Sequence, residues 1–456
     1  MTDSDPVYDV VGVGLGPFNL GLAALLDGVE EPVDAAFLER KPEFNWHEGM
    51  LLEGATLEVP FLADLVTLAD PTNPHSYLNY LRETGRIYEF YFYETFQTPR
   101  REYNDYLRWV SESLDSCRFG REVTDVQWDE KRDHYVVTAR RPETGERFEY
   151  RGDHVALGIG SRPQIPDALR GHPDEDVFHT ARYRDNRERA LDAESVTVVG
   201  SGQSAAEVFQ DLLERQPDGE YRLDWLTRSD GFFPMEYSKL GLQHFTPEYE
   251  RYVYDLPQDV KDDLIPNQGL LYRGVDPETS AEIYDLLYRR SVGDRDPAVG
   301  LFAMTEVQDI ADTGDAYALD CHQWQAEESF VHESEVVVLG TGYERPIPGF
   351  LEPLEGAINW DEKGRFEVTP DHRLDVDVAG DVFLQNAELH THGVGVPDLG
   401  LGCYRNTKFV NRLVGREVYP EDTDTVYQDF AVEQFVERTP ATSRRPGSEV
   451  RPPNDD

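Results

Sequence analysis

The stretch Tyr8-Asp9-Val10-Val11-Gly12-Val13-Gly14-Leu15-Gly16-Pro17-Phe18-Asn19-Leu20-Gly21-Leu22-Ala23-Ala24 decides the fold. Its apolar opening reads as a strand, the glycines as a tight turn, and the residues from Phe18 onward as a helix. A second strand, Ala35-Ala36-Phe37-Leu38-Glu39, follows and starts a βαβ unit. Gly12, Gly14 and Gly16 allow the backbone close to a pyrophosphate and deliver it to a helix N-terminus, where N–H groups and the helix dipole favour an anion. Pro17 stands where the usual fingerprint has its third glycine. Glu39 ends the second strand at about the separation expected of a ribose-binding acid. A carboxylate there suits two free hydroxyls and repels a 2′-phosphate, which favours FAD or NAD over NADP.

The same grammar recurs at Ser195-Val196-Thr197-Val198-Val199, followed by Gly200-Ser201-Gly202-Gln203-Ser204-Ala205, a helix to Leu213 and the strand Leu223 to Thr227. No acid ends this second strand. Arg228 does, and an arginine near the ribose accommodates a 2′-phosphate, so NADPH is expected here, although a solvated surface charge is the plainer role for that side chain. The strand-turn Val336 to Leu339, Gly340-Thr341-Gly342-Tyr343, closes this unit and places Gly342 and Tyr343 beside the nucleotide. The expected fold class is α/β, with two Rossmann-like dinucleotide-binding domains, for FAD and NADPH, and a helical substrate-side elaboration. The FAD-binding domain is expected to be discontinuous, 1–190 and 371–436. The NADPH-binding domain takes 191–370, including a helical insertion at 232–300, and residues 437–456 read as a disordered tail. The stretch from Ser76 to Trp109 is helical and aromatic-rich, its rings expected in the core and at the lobe contact rather than around a substrate.

Composition narrows the rest. At 456 residues with 39% hydrophobic content, the chain can bury more than one core. A formal charge of −46, dispersed along the chain, repels phosphates and argues against nucleic acid. With lysine confined to Lys41, Lys131, Lys239, Lys261, Lys363 and Lys408, such a surface suits molar intracellular salt, where self-repulsion is screened. No run approaches the roughly 20 apolar residues of a membrane span, and Met1 to Pro6 does not read as a secretory leader, so a cytoplasmic location is expected. Cys117, Cys321 and Cys403 lie far apart, without a C-x-x-C pair, and support neither a disulfide framework, a zinc site nor a redox dithiol. His47, His390 and His392 lack grouped carboxylates, and no metal is expected; on a strand, His390-x-His392 would point to one face.

Two nucleotides without a dithiol leave a flavin reduced by nicotinamide, with O₂ or a dissociable carrier as acceptor. Val11 to Leu20, Asn45-Trp46-His47-Glu48-Gly49-Met50, Asp64-Leu65-Val66-Thr67 and Asp70-Pro71-Thr72-Asn73-Pro74 together resemble the lysine/ornithine N-monooxygenase family of siderophore biosynthesis. Phe233-Pro234-Met235-Glu236-Tyr237, the Leu339 to Tyr343 turn, His390-Thr391-His392-Gly393 and Asp398-Leu399-Gly400-Leu401-Gly402 continue that resemblance in the family's order. It implies a flavin C4a-hydroperoxide, sheltered by retained NADP⁺, that is attacked by a neutral primary amine to give a hydroxylamine. It also places Trp46, His47 and Glu58 near the flavin, Glu58 replacing a common glutamine, and gives Asp398, Leu399 and Gly400 a cofactor-lining role. Expected partners are a small primary amine and O₂, with self-association into a homo-oligomer left open.

Two departures bear on the substrate. The resemblance implies that members acting on amino acids hold the α-carboxylate with a lysine where Ala63 stands, and assist with an asparagine where Leu242 stands. A buried carboxylate without its cation costs several kcal/mol, so a diamine is expected ahead of lysine or ornithine. Its second ammonium needs an anion, for which Glu236, Glu58 and Asp276 are candidates. No residue announces itself as the base that deprotonates the reacting amine. L-lysine N6-hydroxylation is the alternative; a flavin monooxygenase for a sulfur or carbonyl centre, suggested by His179-Thr180-Ala181-Arg182-Tyr183, and a non-catalytic redox sensor are further ones.

Overall fold

The structure, a computed structural model, describes residues 6–219, 221–293, 297–421 and 426–431. The expected tail at 437–456 lies outside the described residues. The chain opens with β1 (Val7–Val13), α1 (Pro17–Asp27), β2 (Ala35–Glu39) and β3 (Thr56–Pro60). It continues through α2 (Tyr77–Glu83), α3 (Ile87–Tyr93), β4 (Gln97–Pro99) and α4 (Arg100–Ser113). Strands β5 (Cys117–Phe119), β6 (Glu122–Asp129), β7 (His134–Arg140), β8 (Arg147–Leu157) and β9 (Arg162–Pro163) follow. After β10 (Val177–His179) and α5 (Tyr183–Leu191) come β11 (Ser195–Val199), α6 (Gln203–Gly219) and β12 (Arg222–Leu226). Helices α7 (Pro247–Asp255), α8 (Gln258–Asn267) and α9 (Pro277–Ser291) precede β13 (Val299–Phe302), β14 (Thr305–Asp312), β15 (Tyr317–Gln323) and β16 (Glu328–Ser334). The chain closes with β17 (Val336–Leu339), β18 (Tyr343–Glu344), β19 (Val382–Leu384), α10 (Leu389–His392) and α11 (Leu399–Val414).

The first sheet runs β5-β2-β1-β8-β7-β6, with β19 also on β8. β1 sits between β2 and β8 in parallel register, Val11 opposite both Ala36 and Val155. Its continuous apolar run is explained by burial on both faces. Val10 packs in the α1 and α4 core, whereas Val11 and Val13 pack in the layer holding Leu351, Leu354 and Phe366. The second sheet is parallel, in the order β10-β17-β11-β12-β13, and α6 covers one face through Val208, Phe209 and Leu212. An antiparallel sheet β14-β15-β16 adjoins it. The parallel core of the first sheet, which continues into the antiparallel strands β8-β7-β6, and the parallel second sheet are thus the two Rossmann-like units expected from the glycine motifs.

The crossing points differ from the sequence expectation. β10, at Val177–His179, already pairs with β17 of the second sheet, so the chain leaves the first lobe before 190. On the return, Leu351, Leu354, Ile358 and Phe366 pack in the first lobe's core, so it comes back near 349 rather than 371. Both crossings pass through one two-stranded ladder, β9 with β18, where Tyr343 pairs with Pro163 and Glu344 with Arg162. Short strands of this kind carry too few residues to show a period.

The helical elaboration straddles the lobes. Ile283 of α9 joins the α6 core, while Tyr249 and Val253 of α7 pack with Val394. A buried polar clamp fastens α7 to the first lobe. His372 lies 3.0 Å from Glu250 through Nε2 and 3.0 Å from Glu388 through Nδ1, and Arg405 reaches Glu388 at 3.2 Å. His390 and His392 stand in the helical turn α10, not on a strand. His390 is 2.8 Å from the Phe366 carbonyl, and the His392 ring stacks on His372. Their apolar-glycine context mimicked a strand, but the backbone N–H groups of Thr391 and His392 both bond the Glu388 carbonyl.

Candidate functional site

The first cradle forms at the carboxyl end of β1. Gly14 has φ +82°, and a Cβ there would lie 2.5 Å from the Gly158 carbonyl, so only glycine lets the two turns touch. Gly16, by contrast, has nothing within 4 Å of its Cβ position; this open backbone is the approach a pyrophosphate needs. Pro17 occupies the first helical position of α1, where a missing N–H costs nothing, and this is why it is tolerated in the fingerprint. Asn19 donates to the Gly14 carbonyl at 2.8 Å and the Ala156 carbonyl at 3.1 Å, locking β1 to β8. The Glu39 carboxylate faces the loop, accepting from the N–H groups of Leu15 and Lys41 at 3.0 Å each. These residues fit FAD. A cavity of about 320 Å³ begins next to this turn, lined by Leu157, Ile159, Gly160, Arg345, Gln385 and His390. It lies at the carboxyl ends of β8 and β19, the side on which open α/β sheets bind ligands.

The second cradle repeats the pattern. Gly200 has φ +126°, a Cβ there would meet the Gly340 carbonyl at 2.2 Å, and Gly202 is open. Ser201 and Ser229 hydroxyls lie 2.9 Å apart, and Trp225 holds the Gly200 carbonyl at 2.6 Å. Arg228 is 79% exposed, 3.9 Å from Glu306, so its guanidinium is free to turn toward a 2′-phosphate. Ser204 lies in the first turn of α6. Gly342 has φ +88°, and its carbonyl is held by His179. The His179 Nδ1 accepts from the Ala181 N–H at 3.1 Å, which leaves the proton on Nε2 to donate to Gly342 at 3.0 Å. Burial brings His179 down to about 4, so the ring is neutral. The His179 to Tyr183 stretch is therefore occupied in holding the lobe junction.

Between the cradles, side chains of both lobes come together. Trp46 and His47 rings sit 4.6 Å apart, and Tyr343 is 6.3 Å from His47. His47 has φ 49° and is exposed; desolvation by its neighbours, then Arg100 and Lys41, lower its pKa. Ala63 is buried, and its Cβ lies 3.7 Å from where a Cβ on Gly400 would be. Asp398 caps α11 by accepting the Leu401 N–H at 2.9 Å, and Leu399 and Gly400 form the first turn beside it. Burial raises the Asp398 carboxyl.

The densest chemistry is a carboxyl cluster across the lobes. Gln203, from the second fingerprint, donates Nε2 to Glu58 at 3.2 Å and Glu207 at 3.1 Å, while its Oε1 accepts the Asp276 N–H at 2.7 Å. Asp276 caps α9, accepting the Thr279 N–H at 2.9 Å. Burial first, and then Asp276, push Glu58 up to about 8, so it holds its proton at neutral pH. Arg100 clamps Glu207 with two bonds of 2.6 and 2.7 Å. Burial first, and then the charges of Glu58, Asp276 and Asp398, raise the Tyr237 phenol. Glu236 is not in this cluster: it is exposed, and its carboxylate accepts the Ser238 N–H at 2.7 Å. Leu242 lies in the adjoining turn Gly241–His244, 39% exposed.

Sequence reasoning missed Arg100, Glu207 and Tyr237. Arg100 and Glu207 are 107 residues apart, and no spacing could join them; Tyr237 was quoted within a motif without a role. Among the described residues no group of three metal-ligating side chains is gathered, and no helix is long and apolar enough to cross a membrane.

The sequence pattern described as L-lysine 6-monooxygenase/L-ornithine 5-monooxygenase matches residues 6–345. A rhizobactin siderophore biosynthesis protein of Rhizobium meliloti is 43% identical over 95% of this chain and 96% of its own length. A putrescine N-hydroxylase of Shewanella oneidensis is 40% identical over 93% of this chain and 84% of its own. The FAD-bound cadaverine monooxygenase of the desferrioxamine pathway from Erwinia amylovora superposes with a TM-score of 0.90 at 39% identity, covering 94% of this chain and 99% of that one.

Proposed function

Since the chain belongs to the L-lysine 6-monooxygenase/L-ornithine 5-monooxygenase family, and so is an FAD- and NADPH-dependent flavoprotein N-monooxygenase of siderophore biosynthesis, we propose that its substrate is a small diamine. The observation that carries this reading is the pairing of Glu58 with Asp276 where the lobes meet, in a chain with alanine at 63, the position for which the resemblance implies a cation. The guanidinium there, Arg100, is already spent on Glu207. A free α-carboxylate arriving there meets carboxyl groups; an ammonium meets acceptors. The names of the putrescine and cadaverine enzymes above agree with this choice.

FAD held at Gly14, Gly16 and Glu39 and NADPH held at Gly200, Gly202 and Arg228 would supply the reducing equivalents and the O₂ activation. The chain's own groups orient and dry the substrate. Glu58 and Asp276 hold the distal ammonium, and Gln203 keeps both carboxyls in place by bonding Glu58 and the Asp276 backbone. Arrival of that ammonium stabilises the ionised form of Glu58, so the proton leaves the Glu58 carboxyl as substrate binds. His179, neutral, adds no positive charge that would oppose a second cation. Arg100 keeps Glu207 from competing for the ammonium. Glu236, exposed and committed to its turn, is left out of the assignment.

An amine panel tests the proposal: 1,3-diaminopropane, putrescine, cadaverine, lysine and ornithine, assayed for hydroxylamine formed per NADPH in molar KCl with added FAD. A diamine should give the highest coupled kcat/KM. Coupled hydroxylation of lysine or ornithine, with none of any diamine, overturns it in favour of the amino-acid reading. A sulfoxide or ester product would point to the sulfur or carbonyl alternative.

A further inference from the structure

Residues 231 to 248, the approach to α7, contribute no buried side chain. Hydrogen bonds inside this stretch join near neighbours. The Leu242 N–H donates to the Ser238 carbonyl at 2.9 Å, and His244 Nδ1 lies 2.8 Å from the Gly241 carbonyl. A turn with no core beneath it does not hold one position by itself. Yet this turn carries Leu242, and it runs beside the segment that leads into Asp398. A Cβ on Gly395 would lie 3.9 Å from the His244 carbonyl.

A brace reaches it from the far end of the chain. Residues 426–431 return to this turn across a sequence separation of 185. Gln428 holds it at two points: its backbone N–H donates to Gln243 Oε1 at 3.1 Å, and its Nε2 donates to the Leu240 carbonyl at 2.6 Å. Phe430 sits among three rings, with centroids 5.4 Å from His244, 4.7 Å from Tyr249 and 6.2 Å from Tyr252. Separations of about 4.5–7 Å are those of attractive aromatic pairs. His244 belongs to the turn and both tyrosines to α7, so one side chain staples the turn to the helix. The helix itself is fixed, because Glu250 is tied to His372 at 3.0 Å and Val253 packs with Val394.

We infer that Gln428 and Phe430 are positioning residues for the hydroxylation: they set the Leu242 turn against the amine and act through it. This deepens the amine assignment and rests on it, since it takes Leu242 to face the substrate. Displacing a substrate-positioning group by about 1 Å costs up to about 100-fold, so a brace this remote is felt at the amine. The second cradle, at Gly200 and Arg228, shares none of these contacts, so reductant binding is independent of the brace.

The test uses the full-length, FAD-loaded enzyme and the amine that the panel above ranks first. A preference for lysine would therefore refute the diamine reading and leave this test readable. Phe430→Ala should raise the amine KM at least about 10-fold, with the KM for NADPH kept within about twofold of wild type. Gln428→Ala should raise the amine KM about 3- to 10-fold, and it decides the matter if Phe430→Ala does not fold. The turn is read directly in a Leu242→Cys background. There Phe430→Ala should speed maleimide labelling of position 242, followed by peptide mass, at least about 10-fold. An amine KM that does not move overturns the inference. So does one that rises together with the KM for NADPH, which marks general damage. An amine KM that rises while labelling is unchanged overturns it too, because the effect then arises away from the turn.

Discussion

Replacing Glu58 by glutamine should make the protein more stable and a poorer enzyme at the same time. The carboxyl ionises near 4.5 in an unfolded chain and is pushed up to about 8 in the folded one by burial and Asp276. Between those values the folded chain holds a proton that the unfolded chain has lost, so raising the pH drains native stability, and the full penalty is reached above about 8. The gap corresponds to about 5 kcal/mol as an upper figure, reduced because the group is only partly buried and water screens it. Glu58→Gln removes the slope: the variant should match the wild type near pH 4.5 and exceed it by roughly 2–4 kcal/mol near pH 8, read by guanidinium unfolding in molar KCl. Losing one charged acceptor for the ammonium should lower diamine kcat/KM roughly 10- to 100-fold. The wild-type enzyme must shed the Glu58 proton to hold the ammonium, so the wild-type-to-variant ratio of kcat/KM should rise with pH and level off above about 8. Taking the ratio cancels the deprotonation of the reacting amine, which both enzymes share. Flavin content, measured alongside, separates lost amine binding from lost cofactor. A stability difference independent of pH, or diamine kcat/KM unchanged in a variant that keeps its flavin, would refute the reasoning.

Ala63→Lys, opposite Gly400, should shift relative kcat/KM from cadaverine toward lysine by at least about tenfold, since a cation there pairs a carboxylate and repels an ammonium; an unchanged ratio counts against the role given to position 63. Arg228→Ala should raise the KM for NADPH roughly 10- to 100-fold and leave that for NADH nearly unchanged, because only the former carries the 2′-phosphate. Arg100→Met leaves Glu207 buried without its partner and should cost about 3–5 kcal/mol in denaturant unfolding, little affected by salt. Lowering KCl to about 0.1 M should depress the melting temperature more than an isosmotic change in sorbitol, as the −46 surface loses its screening.

What could be read from the sequence was whatever is written contiguously. Both glycine turns, Glu39 and Arg228 sit at fixed short distances from apolar strands, and the structure gathers each set at the carboxyl end of its central strand. The cross-lobe cluster was only half legible. Glu58 and Asp276 could be named as acids, but their meeting depends on Gln203 and on the fold bringing α9 against β3. Arg100 with Glu207 had no local signature at all. Glu236 stood in a motif beside Tyr237, and its orientation was decided by a turn at Ser238 that the motif does not encode. The aromatics of α3 misled for a different reason: a ring on a helix reads the same whether the fold buries it, as for Tyr77, Tyr103 and Tyr106, or leaves it exposed, as for Tyr91. The lobe boundaries were missed because the β9–β18 ladder and the strand β10 are only two and three residues long.

That ladder has an evolutionary reading. The nicotinamide lobe departs and re-enters at paired neighbours, Pro163 and Tyr343, much as a cartridge seats in a socket. Recombination could swap the whole unit between relatives without disturbing the strand order of its host. Asp276 and Gln203 would travel with the cartridge while Glu58 stayed behind, so exchanging the module that reads the reductant would also redraw which amines are accepted.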